Sequence, residues 1–383
     1  MIGGEAGASP QPTIEMDRKS RTITGRENRR GGKRRRTPEA ALAKVDATPG
    51  PSGRTQGLSQ ISIRDVASRA GVSIATISRV INDEAHGVSA ATRARVKSLI
   101  KEMRYLPNRN GRALRAQTND TYALVISNIQ NTFYAAIAWE LERQLNDIGK
   151  VMLLFNTNEN AALQDRCLDE INARRVSGIF ALCAVESNRL RETADQNYTV
   201  FINRRVESLG ERSFVGVDDY AAARDIVSAI LRAGELPLGV IHGPLYSDTS
   251  ARRVKGVMNL LAERGAAIDA NDICEASLSM EGGYQRAVEL MARERYRSFF
   301  CGNDQIAYGV YRRCREMGMA VPGDVRIYGF DDNPLNEWLA PWLSTVRVPT
   351  VSFATEAIRQ LQKLREGGPH RSIILPYDLV LRG

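Results

Sequence analysis

Histidine is scarce in this sequence. The three residues, His86, His242 and His370, lie far apart with no H-E-x-x-H or Cys/His spacing, so no metal site is expected. The five cysteines (Cys167, Cys183, Cys274, Cys301 and Cys314) are odd in number and include no C-x-x-C pair. That argues against a disulfide framework and suits small buried hydrophobes in a reducing compartment. No run reaches the ~18–20 apolar residues of a membrane span, and the polar N-terminus lacks the apolar core of a secretory signal. A G-x-x-x-x-G-K-[ST] phosphate loop, a G-x-G-x-x-G after a strand and a G-x-S-x-G elbow are missing, as is a carboxylate pair with a plausible base. Neither a catalytic residue nor a cofactor is expected, and the chain reads as soluble and cytoplasmic.

What is present points elsewhere. A length of 383 residues suits two or three domains. A formal charge of +9, with a pI near 9.4, fits a polyanionic partner. Residues 1–58 are rich in Gly, Pro, Ser, Thr and charge, and are expected to be a disordered basic tail. Within them, Arg29 to Arg36 (RRGGKRRR) either holds phosphates without sequence preference, or is a solvated tail or a start drawn too far upstream.

The most informative stretch runs from Ser62 to Asn82. Ser62 with Asp65 forms a capping-box pattern, after which Val66, Ala67 and Ala70 share one helical face. Gly71 suits a left-handed helix end, Val72 plugs the corner, and Ser73 caps a second helix that turns Ile77 and Val80 inward. This is either an ordinary helical hairpin or a helix-turn-helix whose second helix enters a DNA major groove by its N-terminal end. Ser89 caps a third helix, with Val96, Leu99, Ile100 and Met103 closing a three-helix core and cations at 93, 95, 97 and 101 on its other faces. Domain boundaries are placed at 59–107 for this head and 108–119 for a basic segment that begins NRNGRALRAQ. That segment is either a linker or a hinge helix that pushes Leu114 between base pairs in the minor groove.

From Tyr122 onward compact apolar strands alternate with helices. The strands include YALVIS, KVMLLFN, SGIFALC, YTVFIN, FVGVD, LGVIHG, SFFCGN and VRIYGF. Such alternation implies an α/β core of two side-by-side, doubly wound parallel subdomains. Their facing edges would form a cleft, with Asn128, Asn203, Asp218, Asp219, Asn303 and Asp304 at carboxyl ends of strands.

Several stretches in order then carry a likeness: IRDVASRAGVSIATISRVIN, YLPN at 105–108, CGNDQIAYG at 301–309, VPGDVRIYGFDD at 321–332 and LSTVRVP at 343–349. Together they resemble the LacI/GalR family of bacterial transcriptional regulators from about Ser62 to the C-terminus. The resemblance implies a three-helix head and a periplasmic-binding-protein-like core over 120–383. The core's N-subdomain would span about 120–218 plus 333–366, and its C-subdomain about 219–332 plus 367–383. It implies double-stranded operator DNA, a sugar-like small-molecule effector and a second copy in a homodimer as partners, with no membrane and a place on the nucleoid. Repression is the commoner sign in the family.

Position by position, the resemblance puts Ile74, Ala75 and Arg79 on base edges and Ser73, Thr76, Ser78 and Asn82 on phosphates. Asn108, Arg112 and the intercalating Leu114 match the strap behind them, although Gly111 departs from the usual alanine there and lowers helix propensity by ~1 kcal/mol. For the effector it implies Phe133 and Tyr134 as an aromatic wall, with Asn203, Arg252, Arg253, Leu278 and Asp304 as further contacts. For Asp304 a helix N-cap is the alternative. Asn131-Thr132-Phe133 replaces Asn-Pro-Phe, Asn203 replaces an aspartate, and Leu278 stands in place of a stacking aromatic. A periplasmic solute-binding protein conflicts with the missing signal and the helical head, and an enzyme with the missing motifs.

Overall fold

A computed structural model describes residues 61–84, 87–105, 120–266 and 268–382. The expected tail, His86 and the strap with Asn108, Arg112 and Leu114 lie outside the described residues. The chain divides into two compact units, the first ending at Tyr105 and the second beginning at Leu106.

The first unit holds three helices, α1 (Ile63–Ala70), α2 (Ile74–Ile81) and α3 (Ala90–Glu102). Local chemistry sets each boundary. The Ser62 hydroxyl accepts from the Asp65 amide at 3.3 Å and the Asp65 carboxylate accepts from the Ser62 amide at 2.8 Å, closing the capping box. Gly71 ends α1 at φ +62°, where a Cβ would be costly. Ser73 and Ser89 cap α2 and α3 by accepting from the Thr76 and Thr92 amides. Val66, Ala67, Ala70, Ile77, Val80, Val96 and Tyr105 form the buried core, with Val72, Leu99, Ile100 and Met103 packed against it. The cations of α3 are not all loose. Arg93 and Lys97 both pair with Asp83, at 3.2 and 3.1 Å, and so tie α3 to the end of α2.

The second unit begins with a lobe containing β1 (Thr121–Ile126), α4 (Thr132–Asp147), β2 (Val151–Asn156), α5 (Ala161–Arg174), β3 (Ile179–Leu182), α6 (Asn188–Gln196), β4 (Thr199–Ile202) and β5 (Ser213–Val217). The chain then enters a second lobe with α7 (Asp219–Ala233), β6 (Leu238–His242), α8 (Asp248–Glu263), β7 (Ile273–Glu275), α9 (Met280–Met291), β8 (Ser298–Cys301), α10 (Asp304–Glu316), β9 (Arg326–Asp331), α11 (Asn336–Leu339) and β10 (Ser344–Arg347). It closes with α12 (Thr350–Arg365), β11 (Ser372–Leu375) and β12 (Asp378–Val380). Two six-stranded sheets result, in the orders β11-β5-β4-β3-β1-β2 and β12-β10-β9-β8-β6-β7. All pairs are parallel except β10 with β12. Strands β3, β4, β5, β6 and β8 are buried throughout, as a sheet covered on both faces requires, while the edge strand β2 is half exposed.

The C-terminal segment departs from the expected division. Residues 333–366 were expected in the first lobe, but β10 lies beside β9, with Ser344 opposite Tyr328. Only α12 returns to the first lobe, where Phe353 packs its ring edge-on to Phe133 of α4. Residues 367–383 were expected in the second lobe, yet β11 pairs with β5 in the first sheet and only β12 crosses back. The reason is that each sheet has a free edge beside the crossing chain. The short strands satisfy those edges' hydrogen-bonding groups wherever they pass.

Candidate functional sites

On α2 the alternation of inward and outward residues exposes one polar face. Ile77 and Val80 are buried at 0% and 1% exposure, whereas Ser73, Ile74, Ala75, Arg79 and Asn82 are exposed and Thr76 and Ser78 half-buried. Ile74 is a large apolar side chain standing 38% exposed at the positive end of the helix dipole. Arg79, in the last turn of the same helix, is exposed and pairs with Glu84 at 4.0 Å, a weak and solvated contact, with its guanidinium passing close to Gly87. The sequence-derived residues of this face are thus brought together on one accessible surface.

The second unit gathers polar groups at the carboxyl ends of both sheets. In the second lobe the Arg253 guanidinium is buried. Its Nε donates to Asp219 Oδ1 at 2.7 Å and its Nη1 to the Gly302 carbonyl at 2.6 Å, while the group lies 3.4 Å from the centre of the Phe330 ring. Asp304 is buried too. It accepts from the Asn333 amide (2.9 Å), Asn336 Nδ2 (2.7 Å) and Thr345 Oγ1 (2.7 Å). Burial pushes its carboxyl up to about 6 despite those donors. Gly329 makes the arrangement possible, since a Cβ there would sit 2.4 Å from Asp304 Oδ1. Neighbouring Asp331 holds φ +116°, and burial drives its carboxyl well above the carboxylate range, opposed by Arg253.

In the first lobe the ends of β1, β3 and β4 converge on Cys183. Asn203 Nδ2 donates to its sulfur at 3.2 Å and Arg204 Nη1 to its carbonyl at 3.5 Å. Burial raises both the Cys183 thiol and the adjacent Tyr134 phenol above their ordinary values. Among the described residues, Ser127 Oγ, Asn203 Oδ1 and Arg204 Nε are buried without a hydrogen-bond partner. Arg189 Nε, Arg313 Nε and Gln360 Oε1 share that condition elsewhere in the core, so it is not confined to this end of the sheet.

Contacts also cross between the lobes. Tyr246 Oη donates to Glu159 Oε2 at 2.7 Å, the Arg205 amide to Asp248 Oδ1 at 3.2 Å, and Gln305 Nε2 to the Gln130 carbonyl at 3.1 Å. Burial lifts the Asp248 carboxyl to about 6, with Asp219 adding to the effect. A cavity of about 410 Å³ lies on the Arg204 and Asp248 side of Tyr246, and one of about 630 Å³ on the Asn128 and Leu278 side.

The structure places the sequence-derived cleft residues unevenly. Leu278 lines the larger cavity, and Arg252 is exposed and paired with Asp218 at 3.2 Å. Phe133 does not form a wall, because it is 2% exposed and packed on Phe353. Tyr134, Asn203 and Arg253 are buried at the inner end, bordering neither of the two cavities beside Tyr246. The N-cap of α10 is Asn303, which accepts from the Ile306 amide, and not Asp304. Sequence reasoning missed Glu159, Cys183, Arg204, Tyr246, Asp248 and Asp331. Only the run of Asp331-Asp332 after an apolar strand carried a local signal for any of them.

Known proteins match both the head and the core. Residues 62–108 match the family described as bacterial regulatory proteins, lacI family, and residues 237–383 a periplasmic binding protein-like domain. The HTH-type transcriptional regulator DegA of Bacillus subtilis is 30% identical over 327 residues, covering 84% of this chain and 97% of DegA. Among solved structures, a transcriptional regulator CelR–cellobiose complex is 27% identical with a TM-score of 0.64, covering 84% of this chain and 99% of the other. The lac repressor dimer bound to operator and the anti-inducer ONPF shares the fold at a TM-score of 0.72 and 22% identity, covering 84% and 98%.

Proposed function

The chain belongs to the lacI family of bacterial regulatory proteins and is a helix-turn-helix transcriptional regulator, and from that premise we propose how its two units divide the work. The head reads double-stranded operator DNA with the N-terminal half of α2 in the major groove. Arg79 bonds a base edge, Ile74 and Ala75 make apolar contact, and Ser73, Thr76, Ser78 and Asn82 hold phosphates. Asn108, Arg112 and Leu114 grip the neighbouring minor groove. Two copies bind a pseudo-palindrome as a homodimer, acting as a repressor on DNA in the cytoplasm.

The core takes a sugar or related metabolite between its lobes. Asn203 and Arg253 are the inner polar contacts, Leu278 and Arg252 line the approach, and Asp304 braces the second lobe from behind. Ligand shifts the balance between two lobe arrangements only by its difference in affinity for them. The observation that carries the DNA reading is the accessible face of α2, where a bare isoleucine and a loosely held arginine stand on one surface. Support for the ligand reading comes from the two cavities of about 410 and 630 Å³ that residues of both lobes line on either side of Tyr246.

Selection of random duplexes by the full chain tests the first part, with an enriched two-fold symmetric site as the expected result. Recovery of unselected sequence would sink it. A thermal-shift screen with sugars tests the second, since a ligand that favours the folded state raises Tm by mass action.

A further inference from the structure

Tyr246 is 68% exposed, yet it is not loose. Its hydroxyl is held by Glu159 of the opposite lobe at 2.7 Å, and Glu159 also receives Arg204 Nη2 at 3.4 Å. The Arg204 guanidinium lies 5.9 Å from the centre of the tyrosine ring, closing a three-membered cluster. Glu159 reaches this position from a strained turn, in which Asn158 and Glu159 adopt φ +49° and +54° in succession. Positive φ at two adjacent non-glycine residues is costly and persists only where the surroundings over-determine it. Here the Glu159 amide is fixed by the Ser127 carbonyl at 3.1 Å and its carboxylate by Tyr246 and Arg204. Tyr246 borders both cavities: the one beside Arg204 and Asp248, and the one beside Asn128, Glu159 and Leu278.

We infer that Tyr246, clamped to Glu159, is a specificity-determining residue that partitions the mouth of the cleft and limits the length of the bound sugar. The inference rests on the reading of the cleft as a sugar site. A one-ring sugar fits beside the partition with the clamp intact. A longer one spans both cavities, and must therefore break the Tyr246–Glu159 hydrogen bond and displace the ring.

Two measurements on the full-length protein test this. The first needs no ligand: thermal unfolding of the wild type, Y246F, E159A and the double variant. Each single substitution is expected to lower the core's Tm by about 2 °C, and the double by no more than the larger single effect. Fully additive shifts would show that the two residues do not act as a unit and would overturn the clamp. The second is titration of the wild type and Y246A with glucose, cellobiose and cellotriose. The ratio of affinity for the longer sugars to that for glucose is expected to rise at least tenfold in Y246A, and an unchanged ratio overturns the partition. If neither protein binds any of the three, the length-limiting role for these sugars is overturned with the sugar reading itself, while the unfolding cycle still decides the clamp.

Discussion

Arg253 and Asp219 are joined at 2.7 Å in the second lobe, with side chains only 7% and 4% exposed. The arginine expected to meet ligand is thus already held by a carboxylate, by the Gly302 carbonyl and by the face of Phe330. Its remaining freedom is small, because three separate contacts fix the plane of the guanidinium.

Breaking that pair should be expensive because it strands a buried charge. Arg253→Met is expected to destabilise the core by about 3–5 kcal/mol in urea unfolding. Adding Asp219→Asn should recover part of the loss. Equal stability of the single and double variants would mean that Asp219 is not left uncompensated.

Asp304 accepts from three donors on the segment 333–345, and so ties the start of α10 to the chain leaving β9. Asp304→Ala leaves those donors buried and unpaired, and a loss of about 3 kcal/mol or more is expected. Calorimetry of the full chain would read this as a lowered core Tm, and an unchanged transition would contradict the bracing role.

The same residue makes a prediction about pH. Burial raises the carboxyls of Asp304 and Asp248 from 3.8 to about 6, so the folded core keeps their protons at pH values where the unfolded chain has lost them. Their contribution to stability is therefore full below about pH 4 and disappears as pH rises through about 6. Asp304→Asn removes one such group. Its stability relative to the wild type is expected to improve between pH 4 and 6.5, by an amount on the order of 2–3 kcal/mol. A flat difference across that window would rule out Asp304 as the titrating group.

In the head, Arg79→Ala should separate specificity from affinity. The only ion pair it loses among the described residues is the 4.0 Å contact with exposed Glu84, so folding should be little affected. Discrimination for the selected site should fall by about 1–3 kcal/mol while non-specific binding persists. Gel shifts with specific and scrambled duplexes would show it, and retained preference would remove Arg79 from base contact.

Gly71→Ala isolates a purely conformational effect. Gly71 sits at φ +62° with nothing within 4 Å of where a Cβ would point, so no clash accompanies the substitution. A loss of roughly 1–2 kcal/mol in head stability is expected from the left-handed backbone alone. Hydrogen exchange at the amides of α1 and α2 would measure it.

The head was legible because its determinants are local. Ser62 and Asp65, Gly71 and Ser73 act on residues three or four positions away, and the periodicity that buries Val66, Ile77 and Val80 is that of the helix itself. The alternating strands and helices of the core were legible for the same reason, since runs such as YALVIS and SFFC are apolar enough to require two covered faces. Asp304 was legible as a residue of interest, and of its two expected roles the helix cap fell to Asn303. A helix cap and a buried brace look alike in sequence, and only the donors from Asn333, Asn336 and Thr345 distinguish them.

What the chain order left open was decided by contacts between distant segments. Phe133 became core and not cleft wall because α12 brings Phe353 onto it from more than two hundred positions away. Nothing in the strands after β9 names the sheet they belong to, and each joined the edge it passed. Tyr246 and Glu159 meet across two lobes, at a separation over which neither helical nor strand periodicity carries information. The sequence therefore determined which elements form and that a head of this kind reads DNA. Tertiary structure alone determined which side chains close the cleft, because that depends on how two independently wound sheets come to face each other.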